Sequence, residues 1–278
     1  MTQTGRRCWL AGLLVVLTGS FAAMAAEDRP FDPLFYVKDV RGPCLVAPPG
    51  STQAVSVVRD HAFPYGSHIN LPTNAGAVVM FAPETYCILT NNAEATMEAP
   101  RDNRRVVRLH AGMCTTTVEE NLRPAKEFAV TTVTGVSASP VSNRFSVTVS
   151  PDPEGETVLV ASEGGIVGVT GPHFAVLSMT RDDAVTVRTS RDGTFTRLTA
   201  TRGAVDVTTK DNAGGTKVIP LKPGQSLKIW AQKIGDTGKL AVRILGTTPE
   251  GLLLSDTKQS TSTVVAYTED AKSSTESQ

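Results

Sequence analysis

The chain has 278 residues, of which 40% are hydrophobic, 19% charged and 5% aromatic, and its 27 basic side chains balance 27 acidic ones. The neutral net charge removes the electrostatic basis for a dedicated nucleic-acid binder, because phosphate binding needs a basic excess or stripe. The hydrophobic fraction is too high for a chain that is disordered throughout. Threonine and valine are abundant, and because both are β-branched they favour strands over a helical bundle.

Residues 1–26 have the features of a secretory signal peptide. Two arginines precede an apolar run from Cys8 to Ala23, and a small-x-small cleavage motif ends that run. The run is shorter than the roughly 20 residues of a membrane span, so we expect cleavage near Ala25 or Ala26 rather than an uncleaved anchor. The remaining chain is then predicted to be soluble, without a membrane span, and periplasmic or secreted.

After a lead-in over residues 27–36, short runs of alternating apolar and polar residues continue to about residue 245. Alternation with period two, rich in β-branched residues, predicts strands with one buried face. We therefore predict an all-β fold, a twisted solenoid-like or sandwich-like stack of short strands. The clearest runs are Val55–Val58, Val78–Phe81, Val106–Leu109, Phe145–Val149, Val185–Arg188 and Phe195–Leu198. Turn-forming strings separate them at Pro48–Gly50, Asp152–Gly155, Arg191–Gly193 and Asp211–Gly215.

A glycine followed by alternating apolar residues recurs along the chain, at Gly42, Gly112, Gly165 and Gly203. Glycine suits a tight entry into a strand, where a positive φ or a close backbone approach is needed. The irregular spacing indicates loose repetition of a β unit rather than a solenoid with a fixed period. We divide the strand region into a first unit, residues 37–123, and a second, residues 124–245, with the boundary in the loop that contains Pro124.

Residues 246–278 lose the alternating pattern and are rich in Ser, Thr, Lys, Asp and Glu. Such a segment cannot bury enough apolar surface to offset its ordering entropy, so we predict a disordered C-terminal tail. One apolar segment, Val264–Tyr267, interrupts this composition. The alternative for that segment is a docking strand that adds to the edge of a sheet.

Three cysteines remain after cleavage, Cys44, Cys87 and Cys114, and no two of them form a metal-type Cys-x-x-Cys pair. All three lie in strand-like strings, so they can meet across neighbouring strands. Two can pair in an oxidising compartment, and the shorter separation favours Cys87 with Cys114. Cys44 would then be a buried free thiol that packs as a small hydrophobe. The alternative is that no disulfide forms.

The sequence lacks the motifs of common catalytic and metal sites. His61, His68, His110 and His173 have no zinc-type spacing, so we interpret each as a surface or rim residue, with a ligand contact as the alternative for His173. Nucleophile elbows, nucleotide-binding glycine loops and calcium motifs are absent. The acidic residues in 152–156 and 182–183 could serve glycoside hydrolysis, but their turn-like strings favour solvated loops. We predict no enzyme activity and no cofactor.

The densest charge cluster is basic and borders a strand; it consists of Arg101, Arg104, Arg105 and Arg108. Charged side chains at a sheet edge block the addition of further strands, and this protective role is one interpretation. The other is contact with an anionic partner such as a surface glycan or lipid. These four arginines are the candidate anion-contact residues.

The glycine units resemble the FecR domain of bacterial envelope proteins over roughly residues 37–230. The resemblance lies in glycine-centred strand openings and in a valine-glycine-threonine-phenylalanine-valine pattern. The matching segments are Val40–Val46, Tyr65–Leu71, Ala75–Phe81, Val107–Cys114, Val167–Val176, Thr201–Val207 and Leu221–Leu227. The resemblance implies an all-β stack of short strands with a sensing, signal-transducing or scaffolding role at the envelope.

Regulatory FecR-like proteins carry a cytoplasmic N-terminal segment and a membrane span, whereas residues 1–26 of this chain are predicted to be a signal peptide. We therefore do not expect direct control of a sigma factor by this polypeptide. The function predicted is a non-catalytic extracytoplasmic FecR-like domain whose partner is an envelope protein or a polysaccharide. The alternative is an extracellular carbohydrate-acting β enzyme or carbohydrate-binding module. In that case, folding would bring carboxylates together in a cleft.

Overall fold

A computed structural model describes residues 34–82, 85–101, 104–118, 128–140, 143–172, 174–210, 216–234, 239–246 and 264–268. The regular structure of these residues is β-strand and includes no helix, which confirms the all-β fold class. No apolar helix of membrane-spanning length is therefore found in this part of the chain. The strands are β1 Leu34–Arg41, β2 Leu45–Ala47, β3 Val55–Ser56, β4 His61–Pro64, β5 His68–Asn70, β6 Gly76–Ala82, β7 Thr85–Arg101, β8 Arg104–Val118, β9 Phe128–Thr132, β10 Ser137–Pro140, β11 Asn143–Asp152, β12 Gly155–Gly164, β13 Val167–Gly171, β14 Phe174–Met179, β15 Ala184–Ser190, β16 Phe195–Arg202, β17 Val205–Lys210, β18 Thr216–Leu221, β19 Ser226–Ile234, β20 Lys239–Gly246 and β21 Val264–Thr268.

The strands form one continuous sheet with two branches that share β7 and β8, and we call these branches the first and the second sheet. The order in the first sheet is β4-β1-β6-β7-β8-β11-β12-β15-β16-β19-β20-β21. The order in the second sheet is β3-β2-β5-β7-β8-β9-β10-β13-β14-β17-β18. Every pair is antiparallel except β8 with β9. From β11 onward, successive hairpins alternate between the two sheets, so the chain builds the stack two strands at a time.

Strand alternation produces a single core between the sheets. In β12, Val158 and Val160 are fully buried, while Thr157 and Leu159 on the other side are half-buried. Burial of one valine side chain contributes about 2 kcal/mol. One apolar cluster includes inward residues of both sheets, from β1 to Ile229 in β19. The inner faces of the two sheets therefore enclose one common core.

A corner in β7 and β8 lets these two strands belong to both sheets. The first part of β7 pairs with β6, and residues 94–96 pair with β5. Between them Asn91 and Asn92 both have φ of 59°, and Gly112 of β8 has φ of 84°. A Cβ atom added to Gly112 would lie 2.5 Å from the Cα atom of Ala93. The close approach of the two backbones at this corner therefore requires glycine.

The structure confirms most of the local predictions. The glycines that open the four recurring units all have positive φ. Five of the six predicted runs lie entirely within strands. Of the remaining run, Val55–Val58, only Val55–Ser56 lies in a strand. β1 begins at Leu34, inside the segment predicted as a lead-in. In the tail, Val264–Thr268 forms a strand that pairs with β20, as in the docking-strand alternative, and the disordered tail stays a prediction.

Several predictions fall on residues that the structure does not describe, among them the turn at 211–215 and most of the predicted tail. The signal peptide, residues 1–26, lies outside the described residues, and so does the boundary loop around Pro124. On either side of that loop the two predicted units pair directly, β8 with β9 and with β11. The rings of Phe81 and Phe128, one from each unit, also pack edge to face with centroids 5.4 Å apart.

Candidate functional site

The candidate anion-contact arginines lie around the hairpin between β7 and β8. Arg101 ends β7 and is opposite Arg104, the first residue of β8. Arg104 and Arg108 lie on the outer face of the second sheet, whereas Arg105 is on the side of β8 that carries the buried Val107. Because successive residues of a strand point to opposite sides, the fold divides the cluster between two faces.

The two outward arginines are each held by neighbouring side chains. Arg104 Nη2 donates hydrogen bonds to Ser139 Oγ at 2.7 Å and Ser137 Oγ at 3.5 Å, both on β10. Arg108 Nε lies 2.5 Å from Glu98 Oε1. The serines leave the positive charge of Arg104 in place, while Glu98 offsets that of Arg108. These contacts fix both guanidinium groups on the outer face, and anion contact stays a prediction for the cluster.

A threonine on β7 joins two histidines on the same outer face. Thr96 Oγ1 lies 3.2 Å from Nδ1 of His68 and 3.0 Å from Nε2 of His110. The two imidazole rings meet edge to face with centroids 5.5 Å apart, and His68 Nε2 lies 3.2 Å from Glu94 Oε1. One hydroxyl can donate to one imidazole and accept from the other. The arrangement is a hydrogen-bonded chain running from Glu94 to His110.

The surroundings of His110 favour its neutral form. Burial lowers the pKa of His110 most, and the charges of His68 and Arg108 lower it further, against the opposing effects of Glu94 and Glu156. A neutral imidazole offers one donor and one acceptor to a partner. The chemistry this cluster can supply is therefore hydrogen bonding, with charge appearing only as the pH falls.

Sequence analysis interpreted His68 and His110 as separate surface residues and missed this cluster. No sequence signal could have found it, because only the pairing of β5, β7 and β8 brings the two histidines together. Over the described ranges, no group of three or more His, Cys, Asp and Glu side chains is placed to hold a metal ion. His173, the histidine with a possible ligand contact, lies outside those ranges.

The three cysteines are buried free thiols. Cys87 and Cys114 are neighbours on β7 and β8, but the register places Cys114 opposite Leu89 and Cys87 opposite Thr116. Diagonal partners of this kind have Cα atoms about 7–8 Å apart, beyond the usual 4.4–6.8 Å of a disulfide. The Cys87–Cys114 disulfide stays a prediction, and its formation would require the two strands to move.

Their surroundings make Cys44 and Cys87 poor nucleophiles. Burial raises the pKa of Cys44 to about 11. A hydrogen bond with Cys114, followed by burial and the charge of Cys114, raises the pKa of Cys87 well above its ordinary value. Because the thiolate is the reactive form, neither residue is suited to nucleophilic catalysis.

The first group of acidic residues is bound into local structure. Asp152 Oδ1 accepts a hydrogen bond from the backbone N–H of Glu154 at 2.8 Å. The expectation of a solvated loop is wrong for Glu156, which is only 3% exposed because its side chain points into the sandwich. Its Oε1 accepts hydrogen bonds from the hydroxyls of Thr132 and Thr134, and from the backbone N–H of Thr134 at 3.2 Å. Glu156 thus ties β12 to the turn after β9.

The second acidic group has a similar structural role. Asp182 is exposed, as expected, with φ of 68° in the turn before β15. Asp183 is buried, contrary to expectation, and its Oδ2 accepts hydrogen bonds from the backbone N–H and hydroxyl of Thr180 at 2.7 and 2.8 Å. This carboxylate closes the turn that leads from the second sheet back to the first.

No family model, curated protein or solved structure matches this chain. The FecR resemblance therefore stays a prediction that rests on the glycine-centred segments alone.

Proposed function

We propose that this chain is a non-catalytic, exported β protein that binds an envelope protein or polysaccharide through the outer faces of its two sheets. The observation that carries the proposal is the ordered polar surface on β7 and β8. There Thr96 joins two histidines, Arg104 is held by two serines, and Arg108 is held by Glu98. Side chains fixed in advance lose little conformational entropy when a partner binds.

The acidic residues give further support. Glu156 and Asp183 are buried acceptors of hydrogen bonds from threonines, and Asp152 accepts from the backbone of its own turn. A glycosidase needs one carboxylic acid and one carboxylate on opposite sides of a bound sugar. The roles of these carboxylates in turns and strand contacts favour binding over catalysis, and a FecR-like sensing or scaffolding role fits a protein that acts through its surfaces.

The test is a quantitative pull-down from bacterial envelope extract with the purified full chain. We expect a component that the wild type retains and that an Arg104→Gln/Arg108→Gln variant retains several-fold less. Arg181→Gln is the matched control, because Arg181 lies in an exposed turn and its side chain is 79% accessible. Equal recovery by all three proteins would overturn a role for the β7 and β8 face, and turnover of a recovered component would overturn the non-catalytic assignment.

A further inference from the structure

Two histidines lie close to an arginine on the outer face of β5, β7 and β8. The register places His68 opposite Thr96, and Thr96 opposite Arg108. His110 lies two residues along β8 from Arg108 and therefore on the same side of that strand. The rings of His68 and His110 have centroids 5.5 Å apart, and the Thr96 hydroxyl bridges them. We call His68 and His110 the histidine pair.

The charges on this face balance while the histidine pair is neutral. Its described charged side chains are two carboxylates, Glu94 and Glu98 on β7, and two guanidinium groups, Arg104 and Arg108 on β8. The flanking strands β2 and β9 contain no charged residue. Histidine is the side-chain type whose charge ordinarily changes between pH 5 and pH 8. The histidine pair therefore controls the net charge of this face in that range.

Protonation of the histidine pair changes both the hydrogen bonds and the charge of the face. While both rings are neutral, the Thr96 hydroxyl can donate to one imidazole and accept from the other. Both nitrogens of a protonated imidazole are donors, so the hydroxyl can then only accept from the two rings. The two new positive charges also repel each other, because the ring centroids are 5.5 Å apart. Acid therefore converts a balanced face into a cationic one that attracts anions.

The groups around His110 determine the pH at which this change is complete. Burial, followed by the charges of His68 on β5 and Arg108 on β8, lowers the pKa of His110. The charges of Glu94 on β7 and Glu156 on β12 oppose that shift without cancelling it. The face therefore becomes fully cationic only when the pH falls below about 6.5, the ordinary value for histidine.

The face is also open to a partner. The side chain of His68 is 35% accessible and that of Arg108 is 47% accessible. Glu98 contacts Nε of Arg108, which is one of the five N–H donors of a guanidinium group. Imidazolium and guanidinium groups both form charge-assisted hydrogen bonds with anionic oxygens. An anionic group on this face would therefore be bound by donors of both kinds, and its charge would offset the repulsion within the histidine pair.

We propose that the histidine pair makes this face a proton-gated anion site, which binds an anionic group of its partner in acid and releases it at neutral pH. The inference rests on the proposed function, since it adds a charge requirement and a pH control to binding on the β7 and β8 face. Binding and protonation are linked reciprocally, so a ligand that prefers the protonated pair also raises its proton affinity by the same factor. A cationic partner would show the opposite dependence and bind more weakly in acid.

The test is isothermal titration of the purified full chain with sucrose octasulfate at pH 7.5 and pH 5.5. Sulfate esters stay ionised at both values, so a change in affinity reports protonation of the protein, and sucrose is the matched uncharged ligand. Arginine also keeps its charge, so arginines elsewhere add the same background at both values. We expect the octasulfate to bind at least about tenfold more tightly at pH 5.5, because two added positive charges attract it. Equal affinity at the two values, weaker binding in acid, or a similar affinity for sucrose would overturn the proposal.

Substitutions then assign the gain in affinity to the histidine pair. In the double variant His68→Gln/His110→Gln, which keeps polar side chains but cannot gain the charges, we expect the gain to fall below about twofold. His61→Gln is the matched control, because His61 is an exposed histidine on β4 that does not belong to the pair, and it should keep the full gain. A gain that persists in the double variant, or that is lost in His61→Gln, would overturn the proposal.

Failure of this inference can be told apart from failure of the proposed function. If the affinity for the octasulfate is the same at both pH values while the pull-down recovers a component that Arg104→Gln/Arg108→Gln loses, this inference falls and the proposed function stands. If the gain depends on the histidine pair but the pull-down recovers no component at either pH, the proposed function falls and the proton-gated anion site stands.

Discussion

Substitution of Gly112 by alanine tests the corner at which β7 and β8 pass from one sheet to the other. A non-glycine residue in the left-handed region costs roughly 1 kcal/mol. The new Cβ would also lie 2.5 Å from Ala93 Cα and 2.8 Å from Asn91 O, both backbone atoms. Relief of such crowding by backbone movement costs about 2 kcal/mol more. We expect Gly112→Ala to lower the free energy of unfolding by about 3 kcal/mol.

The control is Gly193→Ala, which separates backbone strain from crowding. Gly193 has φ of 70°, but an added Cβ would meet nothing within 4 Å, so we expect a loss of about 1 kcal/mol. Urea unfolding followed by far-ultraviolet circular dichroism measures both values. If Gly112→Ala loses about 2 kcal/mol more unfolding free energy than Gly193→Ala, the close approach of β7 and β8 at the corner is supported. Equal losses in the two variants would refute that close approach.

Three further predictions concern buried or partly buried side chains. Because the pKa of His110 is lowered in the folded state, the unfolded chain takes up the proton first as the pH falls. The free energy of unfolding should therefore decrease as the pH drops through about 6.5. Between pH 8 and pH 5, the midpoint of urea unfolding should fall less for His110→Gln than for the wild type. Glu156→Ala leaves the Thr132 hydroxyl buried without its acceptor, so it should lower the free energy of unfolding in urea by about 3 kcal/mol. The control Glu154→Ala, at an exposed residue, should lower it by less than about 0.5 kcal/mol. Similar losses in the two variants would contradict the role of Glu156. The buried thiols of Cys44 and Cys87, with raised pKa values, should react with Ellman's reagent at pH 8 much more slowly in the native protein than in urea, and rapid native labelling would contradict their burial.

The local structure was predictable because it depends on neighbours in the sequence. The alternation that buries Val158 and Val160 is visible in the residue order, and it is sufficient to identify strands with one buried face. Glycine at Gly112 predicts a positive φ for a steric reason that needs no tertiary information. The all-β fold with one enclosed core follows from many such strands that each need a partner surface.

The surface sites were not predictable, because they depend on which strands become neighbours and in what register. His68 and His110 meet only through β7, and a shift of one residue would send one of them to the other face. The burial of Glu156 depends on the turn after β9, which lies far from it in the sequence. The basic cluster shows the opposite effect, since adjacency of Arg104 and Arg105 in the sequence places them on opposite sides of β8.

The central claim is that this protein binds a partner on the outer faces of the sandwich and leaves it chemically unchanged. The most direct measurement is size-exclusion chromatography of the full chain with the envelope component that the pull-down recovers, followed by mass spectrometry of that component. We expect the component to co-elute with the wild type at unchanged mass and to separate from the Arg104→Gln/Arg108→Gln variant. A changed mass of the component, or co-elution that is the same for both proteins, would contradict the claim.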